Sequence, residues 1–250
     1  MTGELEGKRV LVTGGATGIG AAAVTVLSAA GAIVAATYHH TTPPDGSNAA
    51  WVQCDATVED SVDQAFRDVV AALGGLDVLV NAAGLWHPGV PGQIGVDDVR
   101  HVMDTNFTST VLTNQAAAAV IGATGGRIIN FGSSEGVTGS PMSAIYAASK
   151  SAVASWTRSA AKTWAASGIT VNSVAPAVET PGAQRLRDFL GPDLVPLVEQ
   201  QIAATIPLGG KLGDPTTDLG PVLVFLAGDG ARFITGQLIA VDGGLMMLGA

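Results

Sequence analysis

Short runs of β-branched and other apolar residues alternate with longer helical patterns along almost the whole chain. The runs cover residues 8–13, 32–38, 50–54, 76–80, 127–132, 169–175 and 237–241. Uninterrupted apolar runs are typical of parallel strands buried on both faces, and parallel strands need long crossover connections, usually helices. The alternation predicts one α/β domain over residues 1–250, with a mostly parallel sheet of about seven strands and helices on both faces.

The first run leads directly into a glycine-rich segment, Gly14–Gly20, which is followed by an alanine-rich helical stretch up to Gly31. Strand, glycine turn and helix form the context that a phosphate-binding loop requires. Gly14 allows a tight turn, whereas Gly18 and Gly20 let the backbone approach a pyrophosphate at the positive end of the helix. The segment therefore predicts a dinucleotide cofactor and a doubly wound Rossmann fold.

The end of the second strand carries no acid, because no Asp or Glu occurs between Gly31 and Pro44. In a dinucleotide fold an acid at this position binds the ribose 2′-OH of NAD, whereas a cation accepts the 2′-phosphate of NADP. Tyr38, His39 and His40 stand there instead. The missing acid predicts a moderate preference for NADP(H) over NAD(H), with two solvated loop histidines as the alternative interpretation.

Tyr146 and Lys150 stand four residues apart in an alanine-rich run. If the run is helical, the phenol and the ammonium lie side by side. A nearby positive charge favours the phenolate and lowers the pKa of a tyrosine, which is ordinarily near 10. The pair is a candidate proton-transfer unit for alcohol and ketone chemistry. An ordinary helix with a surface lysine is the alternative from these residues alone.

Composition excludes several other classes of protein. The formal net charge is −9 with no basic cluster, which argues against nucleic acids and acidic membranes as partners. No apolar run reaches the roughly 18 residues of a membrane span, and the polar start is unlike a signal peptide. A single cysteine, Cys54, permits no intrachain disulfide, which predicts a cytoplasmic location.

Together these motifs resemble those of the short-chain dehydrogenase/reductase family over essentially the full length, and within it the subgroup containing 3-oxoacyl-carrier-protein reductases. Thr13–Gly20 is similar to the family's cofactor loop, and Asn81–Gly84 to its turn after the fourth strand. Tyr146–Lys150 matches its Tyr-three-residues-Lys signature. Ser133 lies thirteen residues before the tyrosine, as the family's catalytic serine commonly does, and Asn106 is similar to its structural asparagine.

The resemblance implies an oxidoreductase that transfers a hydride between a nicotinamide cofactor and a ketone or secondary alcohol. Tyr146 would be the acid and base, and Ser133 would hold the reacting oxygen, with Ser134 as the rival. Lys150 would lower the pKa of Tyr146 and bind the nicotinamide ribose, and Asn106 would place a backbone kink and a water. The implied catalytic residues are thus Asn106, Ser133, Tyr146 and Lys150, with no metal.

The same resemblance implies a set of cofactor-binding residues. They are Gly14, Thr17, Gly18, Ile19, Gly20, Tyr38, His39, Asp55, Ala56, Asn81, Ala82, Ala83, Gly84, Tyr146, Lys150, Pro176, Val178 and Thr180. Among them Asp55 would hold the adenine ring and Thr180 the carboxamide. Relatives build a symmetric tetramer from the C-terminal region and the long helices, so a homotetramer, or a homodimer, is implied here.

Three positions depart from the family pattern. Pro176 is followed directly by Ala177, as though the usual glycine were deleted. Thr17 stands where many NADP-dependent members carry Arg, which weakens the NADP interpretation. Glu135 stands where relatives often have a small or apolar residue; we expect a solvated carboxylate, and a polar pocket wall is the alternative.

The segment 182–206 has weak periodicity and many apolar residues, which predicts short amphipathic helices that fold over the substrate as a lid. Leu85, Trp86, His87 and Met142 are expected to shape a fairly apolar pocket. Two other functions remain open. A catalytically silent nucleotide-sensing or scaffold protein has no chemical need for Ser133, Tyr146 and Lys150 together, and an extended sugar-nucleotide epimerase would need a longer chain.

Overall fold

Seven parallel strands form one sheet in the computed structural model, which describes residues 3–247. They are β1 (Arg9–Thr13), β2 (Ile33–Tyr38), β3 (Ala50–Gln53), β4 (Val78–Asn81), β5 (Gly126–Phe131), β6 (Ile169–Pro176) and β7 (Leu238–Val241). Their order in the sheet is β3-β2-β1-β4-β5-β6-β7. The chain thus winds outwards from β1 and then crosses to β4, which creates a switch point between these two strands. Ligands of such sheets bind outside the carboxyl ends of the strands at this point.

Helices cover both faces of the sheet. They are α1 (Gly18–Ala29), α2 (Glu59–Leu73), α3 (Val96–Met103), α4 (Ser109–Ile121), α5 (Glu135–Thr138), α6 (Ala144–Trp164), α7 (Pro181–Leu190), α8 (Val195–Thr205) and α9 (Gly220–Ala227). Residues of α1 and α9 pack on one face, and residues of α2, α4 and α6 pack on the other. The predicted α/β class and doubly wound sheet are therefore confirmed. Among the described residues, no helix is long and apolar enough to cross a membrane.

The strand β1 shows how the sequence supplies both cores. Successive side chains of a strand point to opposite faces. Val10 and Val12 pack with α1 and α9, whereas Leu11 packs with the helices of the opposite face. All three are fully buried. An uninterrupted apolar run is thus what a strand between two helical layers requires.

The chain from Val96 to Ile121 is helical but does not form one continuous α-helix. A π-helical segment, Asp104–Thr108, separates α3 from α4. Such segments occur mostly as single turns inside α-helices and often at functional sites. The difference matters because Asn106 lies in the middle of the segment.

The segment 182–206, predicted to form short helices, contains most of α7 and all of α8. Thr180 caps the first of these, because its Oγ1 accepts a hydrogen bond from Ala183 N at 3.1 Å, and Pro181 opens the helix. Gly191, in a left-handed conformation with φ of 72°, ends it. The predicted short helices are therefore present.

The chain after β6 accommodates the missing glycine by continuing in an extended path. Ala177 N donates to Val241 O at 3.0 Å, and Gly213 N donates to Ala177 O at 2.9 Å. Val178 forms a parallel bridge with Gly213. Because Ala177 is held between two neighbouring backbones, it needs no left-handed conformation, and every described residue with positive φ is a glycine.

Candidate active site

The loop between β1 and α1 has a geometry that only glycine satisfies. Gly14 has φ of 64°, and a Cβ there would lie 2.9 Å from Ala83 Cα. A Cβ on Gly20 would lie 2.1 Å from Gly14 O, so the helix could not pack this closely on the loop. Gly14 N also donates to Thr37 Oγ1 at 3.1 Å. The glycines thus form a tight turn that leads directly into the positive end of α1, which suits a pyrophosphate.

A cavity of about 540 Å³ lies at the switch point of the sheet, beside this loop. That volume is in the ordinary range for a cofactor site. Eight of the predicted cofactor residues line it: Gly14, Thr17, Tyr38, His39, Asp55, Ala56, Ala83 and Gly84. The fit of the glycine loop, the helix end and the cavity supports a dinucleotide at this edge.

Two of the predicted cofactor residues have side chains directed elsewhere. Asn81 is buried, and its amide accepts from Thr13 Oγ1 at 2.8 Å and donates to Thr110 Oγ1 at 3.0 Å. It joins β1, β4 and α4 and so supports the turn that follows it. The side chain of Val178 is buried in the hydrophobic core. Neither side chain is free to contact a ligand, so any contribution from these residues is through the backbone.

The end of β2 combines imidazoles with a carboxylate. The rings of His39 and His40 stack with their centroids 3.6 Å apart. Asp55 Oδ2 lies 3.7 Å from His39 Nε2, and Asp55 Oδ1 accepts from Thr57 Oγ1 at 2.7 Å. The hydrogen bond from Thr57 is the main cause of a lowered pKa at Asp55, which therefore keeps its charge. The end of β2 has no acidic residue, but Asp55, which follows β3, places a carboxylate beside it.

Ser133, Tyr146 and Lys150 come together where β5 ends and α6 begins. Lys150 Nζ lies 5.8 Å from the centroid of the Tyr146 ring and donates to Phe131 O at 2.9 Å. Burial lowers the pKa of Lys150 to about 8. The Ser133 hydroxyl is close enough to the phenol to oppose the rise in the pKa of Tyr146. Ser133, the serine that the spacing favours, therefore lies near the phenol.

Asn106 links this group to the turn after β4. Its Oδ1 accepts from Leu85 N at 2.8 Å, and its Nδ2 donates to Leu85 O at 3.0 Å and to Ser149 Oγ at 3.0 Å. A Cβ on Gly84 would lie 3.0 Å from Asn106 Oδ1 and 3.7 Å from Lys150 Nζ. The π-helical segment is the backbone irregularity that the resemblance implies, and it directs this amide between two elements.

The pKa of Tyr146 shifts opposite to the expectation. We expected the ammonium of Lys150 to lower it, and that prediction is wrong for this arrangement of protein groups. Burial raises the pKa of the phenol, the charge of Glu135 raises it further, and only the hydrogen bond with Ser133 opposes the rise. The buried ammonium is directed to a backbone carbonyl, so its charge does not offset burial.

Glu135 is only partly solvated, which corrects a second expectation. The residue is half-buried, and Ser143 Oγ donates a hydrogen bond to its Oε2. Burial raises the pKa of its carboxyl, and this effect exceeds the opposing effect of the polar groups of Ser143, Ser140 and Trp86 nearby. The carboxylate forms a polar wall of the site. The signal for it was in the sequence, because Glu135 stands only two residues beyond Ser133.

The helix α7 lies against two parts of the site. The rings of Trp86 and Phe189 pack edge to face with centroids 6.3 Å apart. A Cβ on Gly18 would lie 3.0 Å from Pro181 Cδ. The helix therefore touches both the cofactor loop and the turn after β4. The cap at Thr180 occupies a lone pair of its hydroxyl oxygen and leaves the O–H able to donate.

Comparisons with known proteins agree with this geometry. A family model described as Enoyl-(Acyl carrier protein) reductase matches residues 14–246. A cis-4-hydroxycyclohexanecarboxylate dehydrogenase of Sinomonas cyclohexanicum is 39% identical over 97% of this chain and 98% of its own. A 2,5-dichloro-2,5-cyclohexadiene-1,4-diol dehydrogenase of Sphingobium indicum is 36% identical over 96% of this chain and 98% of its own.

A relative and a solved structure extend the comparison to the predicted subgroup and to the fold. The 3-oxoacyl-[acyl-carrier-protein] reductase FabG of Vibrio cholerae is 34% identical over 98% of this chain and 99% of its own. The crystal structure of a dehydrogenase/reductase from Sinorhizobium meliloti superposes with a TM-score of 0.83 and 34% identity over 98% of both chains.

Proposed function

The chain belongs to the short-chain dehydrogenase/reductase family and is an oxidoreductase acting on CH–OH and C=O groups, and on that premise we propose that it interconverts a secondary alcohol and a ketone with Tyr146 as acid and base. The observation that carries the proposal is the convergence of the Ser133 hydroxyl, the Tyr146 phenol and the buried Lys150 ammonium beside a dinucleotide-sized cavity. A nicotinamide dinucleotide, when bound, supplies or accepts the hydride.

The protein groups handle the reacting oxygen and its proton. In the reducing direction Ser133 donates a hydrogen bond to the carbonyl oxygen and holds it as negative charge develops. Tyr146 then gives its proton to that oxygen, which becomes the hydroxyl of the product. Oxidation reverses these transfers, and Tyr146 takes the hydroxyl proton. Lys150 would act on the cofactor side, where its ammonium, now directed to Phe131 O, would bind the nicotinamide ribose.

The cofactor residues would act through backbone more than through side chains. Gly14, Gly18 and Gly20 would admit the pyrophosphate to the end of α1, and Tyr38, His39 and Asp55 would surround the adenosine. Ile19, Ala82 and Pro176 are proposed to contribute along the same edge. Thr180 would bind the carboxamide through its hydroxyl proton.

We propose a moderate preference for NADP(H). Support comes from the absence of an acid on β2 and from the two imidazoles, His39 and His40, that line the cavity. The preference is only moderate because Asp55 keeps its charge 3.7 Å from His39 and would repel a 2′-phosphate. The ratio of kcat/KM for NADPH to that for NADH measures the preference and should exceed one. A preference for NADH would show that these histidines do not bind the phosphate.

The substrate is proposed to be a small cyclic secondary alcohol or its ketone. Two relatives are named for six-membered rings, one with a carboxylate and one with a second hydroxyl. An apolar ring would suit the wall formed by Trp86 and Phe189. A catalytically silent nucleotide sensor is not favoured, because Ser133, Tyr146 and Lys150 are not merely present but adjacent.

We further propose that residues 1–250 form one domain and that the segment 182–206 forms a lid. We also propose that the protein is a homotetramer located in the cytoplasm.

The proposed activity is tested with ring and open-chain secondary alcohols and ketones, each with NAD(H) and NADP(H), by absorbance of the reduced nicotinamide. Turnover of at least one ring alcohol is expected. Activity confined to C=C bonds, with none on any alcohol or ketone, would contradict the proposal.

A further inference from the structure

Glu135 places a carboxylate beside the proposed proton donor. It stands at the first position of α5, two residues beyond Ser133, and Ser143 Oγ donates to its Oε2. Ser143 is 1% exposed, and its Oγ lies 2.7 Å from Ser140 Oγ. Since Ser143 precedes Tyr146 by three residues, the carboxylate is joined to the first turn of the helix that carries the phenol. Two hydroxyls thus hold one acid at a fixed place in the site.

The other side of the carboxylate faces the apolar wall. The indole N–H of Trp86 is near Glu135, yet it forms no well-directed hydrogen bond and has no other partner in the described chain. The ring of the same tryptophan packs against Phe189 of α7. Glu135 therefore lies near both the Tyr146 phenol and the tryptophan of the apolar wall. The indole N–H of Trp86 and the second carboxylate oxygen of Glu135 are thus left without a well-directed hydrogen bond.

We propose that Glu135 is a specificity-determining residue whose carboxylate accepts a hydrogen bond from a second, neutral hydroxyl of the substrate and repels a substrate carboxylate. The inference rests on the proposed function, because it takes the reacting oxygen to lie at Ser133 and Tyr146. It deepens that function by selecting between the two ring substituents left open above. The substrate class is a ring diol or hydroxyketone and not a hydroxy acid.

The selection follows from charge and desolvation. Two carboxylates in a half-buried pocket repel each other strongly, since screening by water is reduced there. A substrate carboxylate would also lose its hydration without gaining a cation, because the Lys150 ammonium is directed to Phe131 O. A neutral hydroxyl loses less on burial and can donate to the free oxygen of Glu135. We expect a discrimination of about tenfold or more in kcat/KM.

The test compares two substrates within each variant. Oxidation of cyclohexane-1,4-diol and of 4-hydroxycyclohexanecarboxylate is measured at one pH, the same for both substrates and every variant. The ratio of their kcat/KM values cancels changes that affect both substrates, such as those at Tyr146 and Lys150. Wild type should favour the diol, and Glu135→Gln should reduce the ratio by about tenfold. Glu4→Gln, which removes an exposed charge at the opposite edge of the sheet, should leave it unchanged.

A ratio that is equal in wild type and Glu135→Gln, or a wild type that prefers the acid, would overturn the inference. A second measurement needs neither turnover nor the variant. With oxidised cofactor present, cyclohexanecarboxamide should raise the Tm of wild type more than cyclohexanecarboxylate does. If no alcohol is oxidised, the proposed function fails, and this pair still tests Glu135. If alcohols are oxidised but neither pair is discriminated, only the role of Glu135 fails.

Discussion

At the scale of single residues, the site depends on a phenol whose surroundings hold it protonated. Burial and the charge of Glu135 both raise the pKa of Tyr146, and the hydrogen bond with Ser133 opposes them only partly. The free protein therefore presents a proton donor, which suits reduction of a carbonyl. Forming the phenolate for oxidation needs a positive charge closer to the oxygen than Lys150 now supplies.

Replacing Tyr146 with Phe should abolish turnover and leave cofactor affinity nearly unchanged. The phenyl ring keeps the packing of the tyrosine, whereas the proton that is transferred is lost. Steady-state rates and cofactor binding by fluorescence titration measure the two effects separately. Ser134→Ala is the matched control, because its hydroxyl is not the one that faces Tyr146. Activity of Tyr146→Phe within a few-fold of wild type would refute the assignment.

The buried ammonium of Lys150 is expected to lower the free energy of unfolding, although activity requires it. Burial lowers its pKa from 10.5 to about 8, so the folded protein binds this proton less tightly than the unfolded chain does. Below about pH 8 the full cost of burying this charge in the folded state is present. The cost diminishes as the pH rises from 8 towards 10.5, so the folded state becomes more stable with rising pH. Lys150→Met should abolish turnover yet raise the free energy of unfolding at pH 7 by about 1–2 kcal/mol, after the lost hydrogen bond to Phe131 O is subtracted.

Urea denaturation at several pH values measures this difference. The gain should shrink as the pH approaches 10.5, the ordinary pKa of the side chain. Lys162→Met, on the same helix but exposed, is the control and should show no comparable trend. A Lys150→Met protein that is less stable than wild type at pH 7 would show that the ammonium is stabilised by its surroundings.

At the scale of elements, α7 is the segment best placed to move. Its residues are half-buried or exposed, and it is held by the Trp86–Phe189 contact and by Arg187, which pairs with Glu179 at 2.6 Å. Because α7 makes so few buried contacts, we expect its local stability to be low. Closure of such a segment would exclude water from the reacting carbon.

Trypsin sites at Arg185 and Arg187 make this motion measurable. Cleavage in α7 should slow when cofactor and substrate are bound, and Phe189→Ala should cleave faster and be protected less. Leu197→Ala, an exposed residue of α8 at 61%, is the control and should behave as wild type does. Equally slow cleavage in the free enzyme would mean that α7 is a fixed wall or an interface.

The elements also show where sequence patterns stop being informative. The strands, the glycine loop and the positions of Tyr146 and Lys150 follow from local periodicity and spacing, and they were predicted. The π-helical segment follows from no local pattern, and only the resemblance implied a kink at Asn106. Its cause is tertiary, because Asn106 must reach Leu85 and Ser149 at once. The upward shift of the Tyr146 pKa and the burial of Glu135 were missed for the same reason. They depend on how α5 packs against α6, which no local pattern reports.

At the scale of the whole molecule, two phenylalanines of the C-terminal region have exposed side chains. Phe233 is completely exposed and Phe225 of α9 is 47% exposed. Aromatic residues are enriched at protein interfaces. This exposure agrees with a chain in which only 13% of residues are charged.

Phe233→Ser should therefore weaken the proposed tetramer and reduce the molecular mass in solution. An isologous interface doubles the effect, because the same residue is lost from both partners. Size-exclusion chromatography with light scattering measures the mass. Val96→Ser, at an apolar residue 62% exposed on α3, is the control and should leave the mass unchanged. A wild type that is already monomeric would show that the homotetramer proposal is wrong.

The π-helical segment has a consequence for insertions and deletions. An α-helix turns by about 100° per residue, so the wider turn at Asp104–Thr108 acts as a single surplus position in the helical count. Deleting one residue there would restore regular winding with α3 and α4 still in phase, and the widened turn that carries Asn106 would be lost. Asn106 would then leave its position between Leu85 and Ser149. Changes in chain length are tolerable in the surface loops, whereas a deletion in this turn would displace a residue of the site.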